Sequence, residues 1–201
     1  MALAISEFAA ALKHTGARAS LFEVTLTGLI MNDIPTASKV KTASIASDIK
    51  FVCRATTIPG MTITPITTQY FGREIKTPGE MEFADWSITV INDNNQRVRR
   101  FMESWSNLIN SHSDNTFFDK ATYSGVDRSS WPWTGNATIA QFNKTGGVSQ
   151  KYKMNDAWPT SIDPIEMSYD NVGTIQEFGL TFAINHWEHL LDKGAGGEKN
   201  T

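Results

Sequence analysis

The sequence predicts a mainly β protein with one flanking α-helix, built as an antiparallel sandwich or barrel. Three observations carry this reading. Apolar residues recur with a period of two in Ser20 to Thr27, Phe83 to Ile91 and Thr174 to Trp187, the spacing of strands with one buried face. Between Asp93 and Asn110 the period lengthens to that of an amphipathic helix. Glycine and proline pairs divide the remaining runs at turn-like intervals. The runs add up to about eight strands in a single domain over residues 1–201. A chain of this length buries about 70% of the surface it would expose unfolded.

In chain order, residues 1–17 form an N-terminal arm in which Ile5, Phe8, Ala9 and Leu12 share one side of a short helix ended by Gly16. Ser20 to Thr27 alternates Phe22, Val24 and Leu26 against Glu23, Thr25 and Thr27, a strand closed by Gly28. Residues 29–50 have no sustained period, and a connection this long is either functional or disordered. Phe51, Cys53 and Ala55 alternate with Val52 and Arg54, giving a strand that Ile58-Pro59-Gly60 ends.

Met61 to Phe71 is β-branched, yet neither of its faces is strongly apolar. Such a strand suits a closed core poorly. Turns are expected at Gly72-Arg73-Glu74 and Thr77-Pro78-Gly79. Phe83 to Ile91 then places Trp86, Ile88 and Val90 on one face, a half-buried antiparallel strand. Val98, Phe101, Met102, Trp105, Leu108 and Ile109 make one helical stripe, and Asp93 with Gln96 fits a capping box before it.

Residues 111–136 are a second long connection, ending in Trp131-Pro132-Trp133. The two tryptophans either cover the core locally or, exposed, form an outer contact patch. Ala137 to Asn143 and Val148 to Met154 read as a hairpin around Lys144-Thr145-Gly146-Gly147. Ile162 to Tyr169 reads as a further strand after Trp158-Pro159. In Thr174 to Trp187, Phe178, Leu180, Phe182 and Ile184 share a face, while Gly179 and Ala183 on the other permit close approach of a neighbour. Residues 193–201 are a Gly-containing tail expected to be mobile.

Net charge is −3, which argues against a basic face that grips nucleic acid. The one cysteine, Cys53, has no internal disulfide partner and reads as a small hydrophobe. The first residues lack the basic region of a signal peptide, and no stretch of about 18 apolar residues spans a membrane, so folding in a reducing cytoplasm with no membrane anchor is expected. Phosphate-loop, nucleophile-elbow, C-x-x-C and H-E-x-x-H patterns are all absent. His186 and His189 with Glu188 are the one tempting cluster, but residues three apart in a strand point to opposite faces. Asp163, Glu166 and Asp170 are read as loop or surface carboxylates. No catalytic residue, metal or cofactor is expected.

Four stretches, FVCRATTIPG, QYFGREIKTPGEMEFADWSITVINDNN, RRFMESWSNLIN and NDAWPTSIDPIEMSYDNVGTIQEFGLTFAINHWEH, carry a resemblance in their order. They resemble the tail-tube (inner tube) protein family of contractile-tailed bacteriophages, the T4-like myoviruses, a family related to the Hcp tube proteins of type VI secretion. With Ser20 to Thr27 the likeness spans most of the chain; residues 29–50 and 111–136 have no match in it.

The resemblance implies a structural virion protein, whose homo-hexameric rings stack into a tube around one continuous inner β-barrel. That tube is the conduit for the genome, with viral DNA only in transit and with sheath, baseplate and tail terminator proteins as partners. Assembly in the host cytoplasm is implied. Residues 29–50 become an assembly loop, with Ile30, Met31, Ile34, Val40 and Ile45 making inter-subunit and inter-ring contacts. Thr62, Thr64, Thr68, Glu82 and Asp85 become lumen candidates, and Trp131 and Trp133 an outer contact for the sheath. Two alternatives stand beside this: the tube of a type VI secretion system or phage-like bacteriocin, and a monomeric β-rich binding module.

Overall fold

The computed structural model describes residues 18–27, 49–50, 52–112 and 133–190. Within them lie nine strands and one long helix: β1 Phe22–Thr27, β2 Cys53–Thr56, β3 Met61–Tyr70, β4 Arg73–Phe83, β5 Trp86–Ile91, α1 Arg97–Ile109, β6 Gly135–Phe142, β7 Val148–Ile162, β8 Glu177–Ala183 and β9 His186–His189. Among the described residues the fold is mostly β with a single long flanking helix, as the periodicities predict.

Seven strands make one antiparallel sheet, in the order β1-β6-β7-β8-β5-β2 with β9 added on β7. The sheet curls until its edge strands β1 and β2 come into contact. Lys50 Nζ stands 2.9 Å from Glu23 Oε1 where they approach. β7 serves two sets of neighbours, β6 and β9 along its first half and β8 along its second. The changeover falls at Asp156, whose φ of 55° an aspartate tolerates better than most side chains. Its carboxylate is held there by Thr134 Oγ1 at 3.4 Å and Asn185 Nδ2 at 3.2 Å.

Alternation in the strands builds the core. Val24 and Leu26 of β1, Trp86, Ile88 and Val90 of β5, and Phe178, Leu180 and Phe182 of β8 are all buried. α1 lays Val98, Phe101, Met102 and Trp105 on them. Phe182 is the meeting point, stacked on Trp86 at 4.9 Å and tilted against Trp105 at 6.0 Å. Trp105 Nε1–H donates to the Trp133 carbonyl at 2.7 Å, so the polar edge of the buried indole is satisfied.

Several local expectations change. Thr77-Pro78-Gly79 is not a turn: β4 runs through it, with Pro78 opposite Pro65 and the irregularity absorbed as a bulge. The hairpin reverses at Phe71-Gly72, φ 47° and 77°, one residue before the expected position. Trp158-Pro159 does not interrupt β7, and Ile162 to Tyr169 is not a strand, since β7 ends at Ile162. Ile49, Lys50 and Val52 are helical, so the second strand begins at Cys53. The strand expected over Phe83 to Ile91 breaks at Ala84-Asp85, and the last one starts at Glu177 and breaks at Ile184-Asn185. Asp93 caps α1 without a capping box: its Oδ1 accepts the Arg97 N–H at 2.8 Å, while Gln96 adopts φ 49° and makes no side-chain cap.

Candidate assembly surface

β3 and β4 form a two-stranded sheet of their own. All ten residues of β3 are exposed, as are most of β4. Directly opposed residues of an antiparallel pair share a face, so the register sorts the hairpin's side chains. β3 alternates without interruption. The step from the pair Ile63 and Met81 to the pair Pro65 and Pro78 advances two residues on β3 and three on β4, so Gly79 and Glu80 together oppose Thr64.

One face therefore carries Thr62, Thr64 and Glu82 near its base and Ile66, Thr68, Tyr70 and Ile75 toward its tip. The other carries Met61, Ile63 and Met81 at the base and Thr67, Gln69, Glu74 and Lys76 toward the tip. The apolar sector changes sides at the bulge. At the base it continues the core, because Phe83 meets Trp187 edge-on at 6.2 Å and Trp187 meets Tyr152 at 5.7 Å. At the tip it is exposed among the described residues: Tyr70 and Phe71 pack edge-to-face at 4.6 Å, and Phe71 is 91% exposed. A shallow cleft there is lined by Tyr70, Phe71, Arg73, Glu74 and Ile75.

A second exposed apolar group lies in the β7–β8 connection, on Met167, Tyr169, Val172 and Ile175. Periodicity assigned this stretch partly to a strand and so missed the patch. A detectable signal was present, since four large apolar residues beside Ser168, Asp170, Asn171 and Gly173 sit in turn chemistry, where burial is not on offer. Gly179 behaves as its composition suggested: a Cβ there would collide with the Asp163 carboxylate, which packs over it.

Of the lumen candidates, the register brings Thr62, Thr64, Thr68 and Glu82 onto one face, and Asp85 lies beyond it in the β4–β5 connection. Thr68 stands among the distal apolar residues, opposite Ile75. Ile30, Met31, Ile34, Val40, Ile45 and Trp131 lie outside the described residues, as do the N-terminal arm and the tail. Trp133 is half-buried beside Trp105.

The titratable groups are structural in their placement. Burial pushes the Cys53 thiol up to about 11, with a smaller opposing effect of the Ala55 backbone; the thiol stands 3.4 Å from the Ala55 carbonyl oxygen. For Asp93, burial raises the carboxyl, but the hydrogen bonds and charge of Arg97 outweigh it and the net shift is downward. Hydrogen bonding to Glu177, with its charge, raises Arg54 further. In β9, His186 Nε2 and Glu188 Oε1 are 3.3 Å apart and both meet Asn155 Nδ2, whereas His189 pairs with Gln150. Among the described residues, no group of three or more His, Cys, Asp or Glu is arranged for a metal ion, and no helix is long and apolar enough to cross a membrane.

This fold recurs in solved contractile assemblies. A chain of the sheath-tube complex of an extracellular contractile injection system, PVC, in its extended state superposes with a TM-score of 0.57 at 12% identity, covering 94% of this chain and 99% of that one. A chain of the six-fold symmetrised baseplate of the anti-feeding prophage gives 0.56 at 10% identity, covering 89% and 98%. The fold is thus shared with chains of these assemblies. Tail tube protein gp19 of Enterobacteria phage T4 is 23% identical over 155 residues, 77% of this chain and 90% of its own length, and its counterpart in phage T6 matches to the same extent. The family model for phage tail tube protein matches residues 17–190, and the chain belongs to that family. It is a structural component of the phage tail and not an enzyme.

Proposed function

We propose that the protein assembles as homo-hexameric rings, stacked into a tube around one continuous inner β-barrel, and that the tube conducts the phage genome into the host. One observation carries this reading. The β3–β4 hairpin exposes ten residues of one strand and most of eleven of the other, and among the described residues these strands pair only with each other. An isolated two-stranded ribbon is marginal in water, and its open edges invite pairing with another chain. Joining the hairpins of neighbouring subunits into a closed barrel satisfies those edges and accounts for an arm that adds little to the subunit's own core.

The hairpin's polar base half supplies the lumen wall. Thr62 and Thr64 with Glu80 and Glu82 present hydroxyls and carboxylates and no cation, and Asp85 stands at its foot. Such a wall repels or ignores phosphate, so DNA passes without being held. Thr68 continues the same face farther along the hairpin, opposite Ile75. Sheath, baseplate and tail terminator proteins are the partners of the assembled tube, with Trp133 and Trp131 on the sheath side. Residues 29–50, through Ile30, Met31, Ile34, Val40 and Ile45, bridge subunits and rings. The complete tube forms in the host cytoplasm and belongs to the virion tail.

Negative-stain electron microscopy of the concentrated protein, with sedimentation alongside, tests the reading. Hollow six-fold rings or tubes are expected, alone or on added baseplates. A chain that stays monomeric under both conditions refutes it and favours a monomeric binding module.

A further inference from the structure

The β3–β4 hairpin and the β7–β8 connection leave the central β5–β8 pair from opposite ends, and each carries an apolar patch that is exposed among the described residues. The hairpin delivers the chain to β5 through Ala84-Asp85 at Trp86, which is opposite Phe182. The β7–β8 connection delivers it to β8 at Glu177, which is opposite Ile91. Five residue steps separate these ends, about 17 Å at the rise of an antiparallel strand. Phe71 is 91% exposed and Val172 90%, so within one copy neither patch covers the other.

Their chemistry is complementary. The tip combines Ile66, Tyr70, Phe71 and Ile75 with Arg73, which the register places opposite Tyr70 on the same face. The connection combines Met167, Tyr169, Val172 and Ile175 with Asp163, Glu166 and Asp170, and carries no lysine or arginine. It is also an organised turn. Asp163 N–H donates to the Gly179 carbonyl at 3.0 Å, Val172 N–H to the Asp170 carbonyl at 3.0 Å, and Ile165 packs on the core. Its apolar side chains are therefore held outward on a fixed support.

We propose that the distal hairpin face of one copy docks on the β7–β8 connection of the next, with Arg73 meeting Asp170 and Glu166. Two different patches, on segments that leave opposite ends of the β5–β8 pair, make a heterologous contact, which propagates from copy to copy instead of closing on itself as a dimer. Burial of aromatic and branched side chains supplies the association energy, and the charges set the partner and its orientation. This contact rests on the tube reading and identifies the surfaces that join successive subunits along it.

The test uses the full chain carrying both Tyr70→Cys and Val172→Cys, treated with a short bis-maleimide after assembly. Cys53 gives little background, because its thiol is half-buried and pushed up to about 11. A ladder of covalent multimers from the double variant is expected on a denaturing gel, with each single variant staying monomeric. Assembled tubes of the double variant that remain monomeric on the gel overturn the contact while leaving the tube reading intact. A thiol at position 172 that reacts freely in bare tubes and is shielded only by sheath assigns the connection to the sheath, and also overturns it. Wild-type protein that forms no polymer, even on baseplates, overturns the tube reading and this contact with it. Charge reversal is a second readout: Arg73→Glu raises the concentration needed for assembly by about tenfold, and adding Asp170→Arg reverses the effect. Unchanged assembly of the Arg73→Glu protein refutes the pairing.

Discussion

Gly79→Ala tests whether the hairpin is energetically separate from the core. A Cβ at position 79 would stand 2.8 Å from Cγ1 of Ile66 and closer still to the Thr64 carbonyl oxygen, against ordinary contact from 3.4 Å. The bulge must open by about 0.6 Å at the side chain, and by more at the backbone, which costs about 1–3 kcal/mol. A free two-stranded ribbon has little stability to set against that cost. The core is insulated from it, because β3 and β4 pair only with each other among the described residues.

The variant should therefore unfold at nearly the wild-type temperature by circular dichroism. Its amides from Thr64 to Gly79 should lose protection in hydrogen exchange, while those of β5 and β8 keep theirs. Ring and tube formation should fail in negative stain. Tubes at the wild-type concentration with unchanged hairpin protection would refute the reasoning, and so would a fall in midpoint matching a core mutation.

Other sites give independent checks. Phe182→Ala removes the ring shared by Trp86 and Trp105 and should cost about 3–5 kcal/mol in denaturant unfolding. Asp93→Asn keeps the oxygen that accepts the Arg97 N–H but loses the charge paired with the Arg97 side chain, and should cost about 0.5 kcal/mol near neutral pH. Because the folded Asp93 carboxyl lies below its ordinary 3.8, its contribution is complete above that value and fades as pH falls through the folded one, so the gap between wild type and variant should close in acid. Cys53 should label slowly with maleimide at neutral pH and accelerate as pH rises toward 11; fast labelling at pH 7 would contradict its burial. Thr62→Lys with Glu82→Lys should leave assembly intact yet slow genome delivery, and normal infectivity by particles with that tube would remove the repelling-wall argument.

Much of the scaffold is legible in the sequence because one-sided burial imposes a period. Val24 and Leu26, the Trp86-Ile88-Val90 triplet and the α1 stripe each face one core, and their spacing announces strand or helix directly. Errors collected where proline and glycine carry two meanings. Pro78-Gly79 and Trp158-Pro159 look like chain reversals, yet both lie inside long strands beside register shifts, where a missing donor or side chain is what the bulge requires. A ribbon exposed on both faces has little burial to impose a period, so Met61 to Tyr70 reads from sequence only as a strand unsuited to a closed core.

The sequence by itself determined the mainly β class, the single amphipathic helix and the absence of any catalytic motif, because these depend on spacing along the chain. It also placed Thr62, Thr64 and Thr68 on a common face, since strand alternation is local. Tertiary structure decided what depends on partners far along the chain. The register across the bulge puts Glu82 beside Thr62 and Ile75 beside Thr68. The β5–β8 pairing makes the hairpin and the β7–β8 connection leave opposite ends of that strand pair. Pairing between distant segments is chosen by the whole packed sheet, and no local period encodes it.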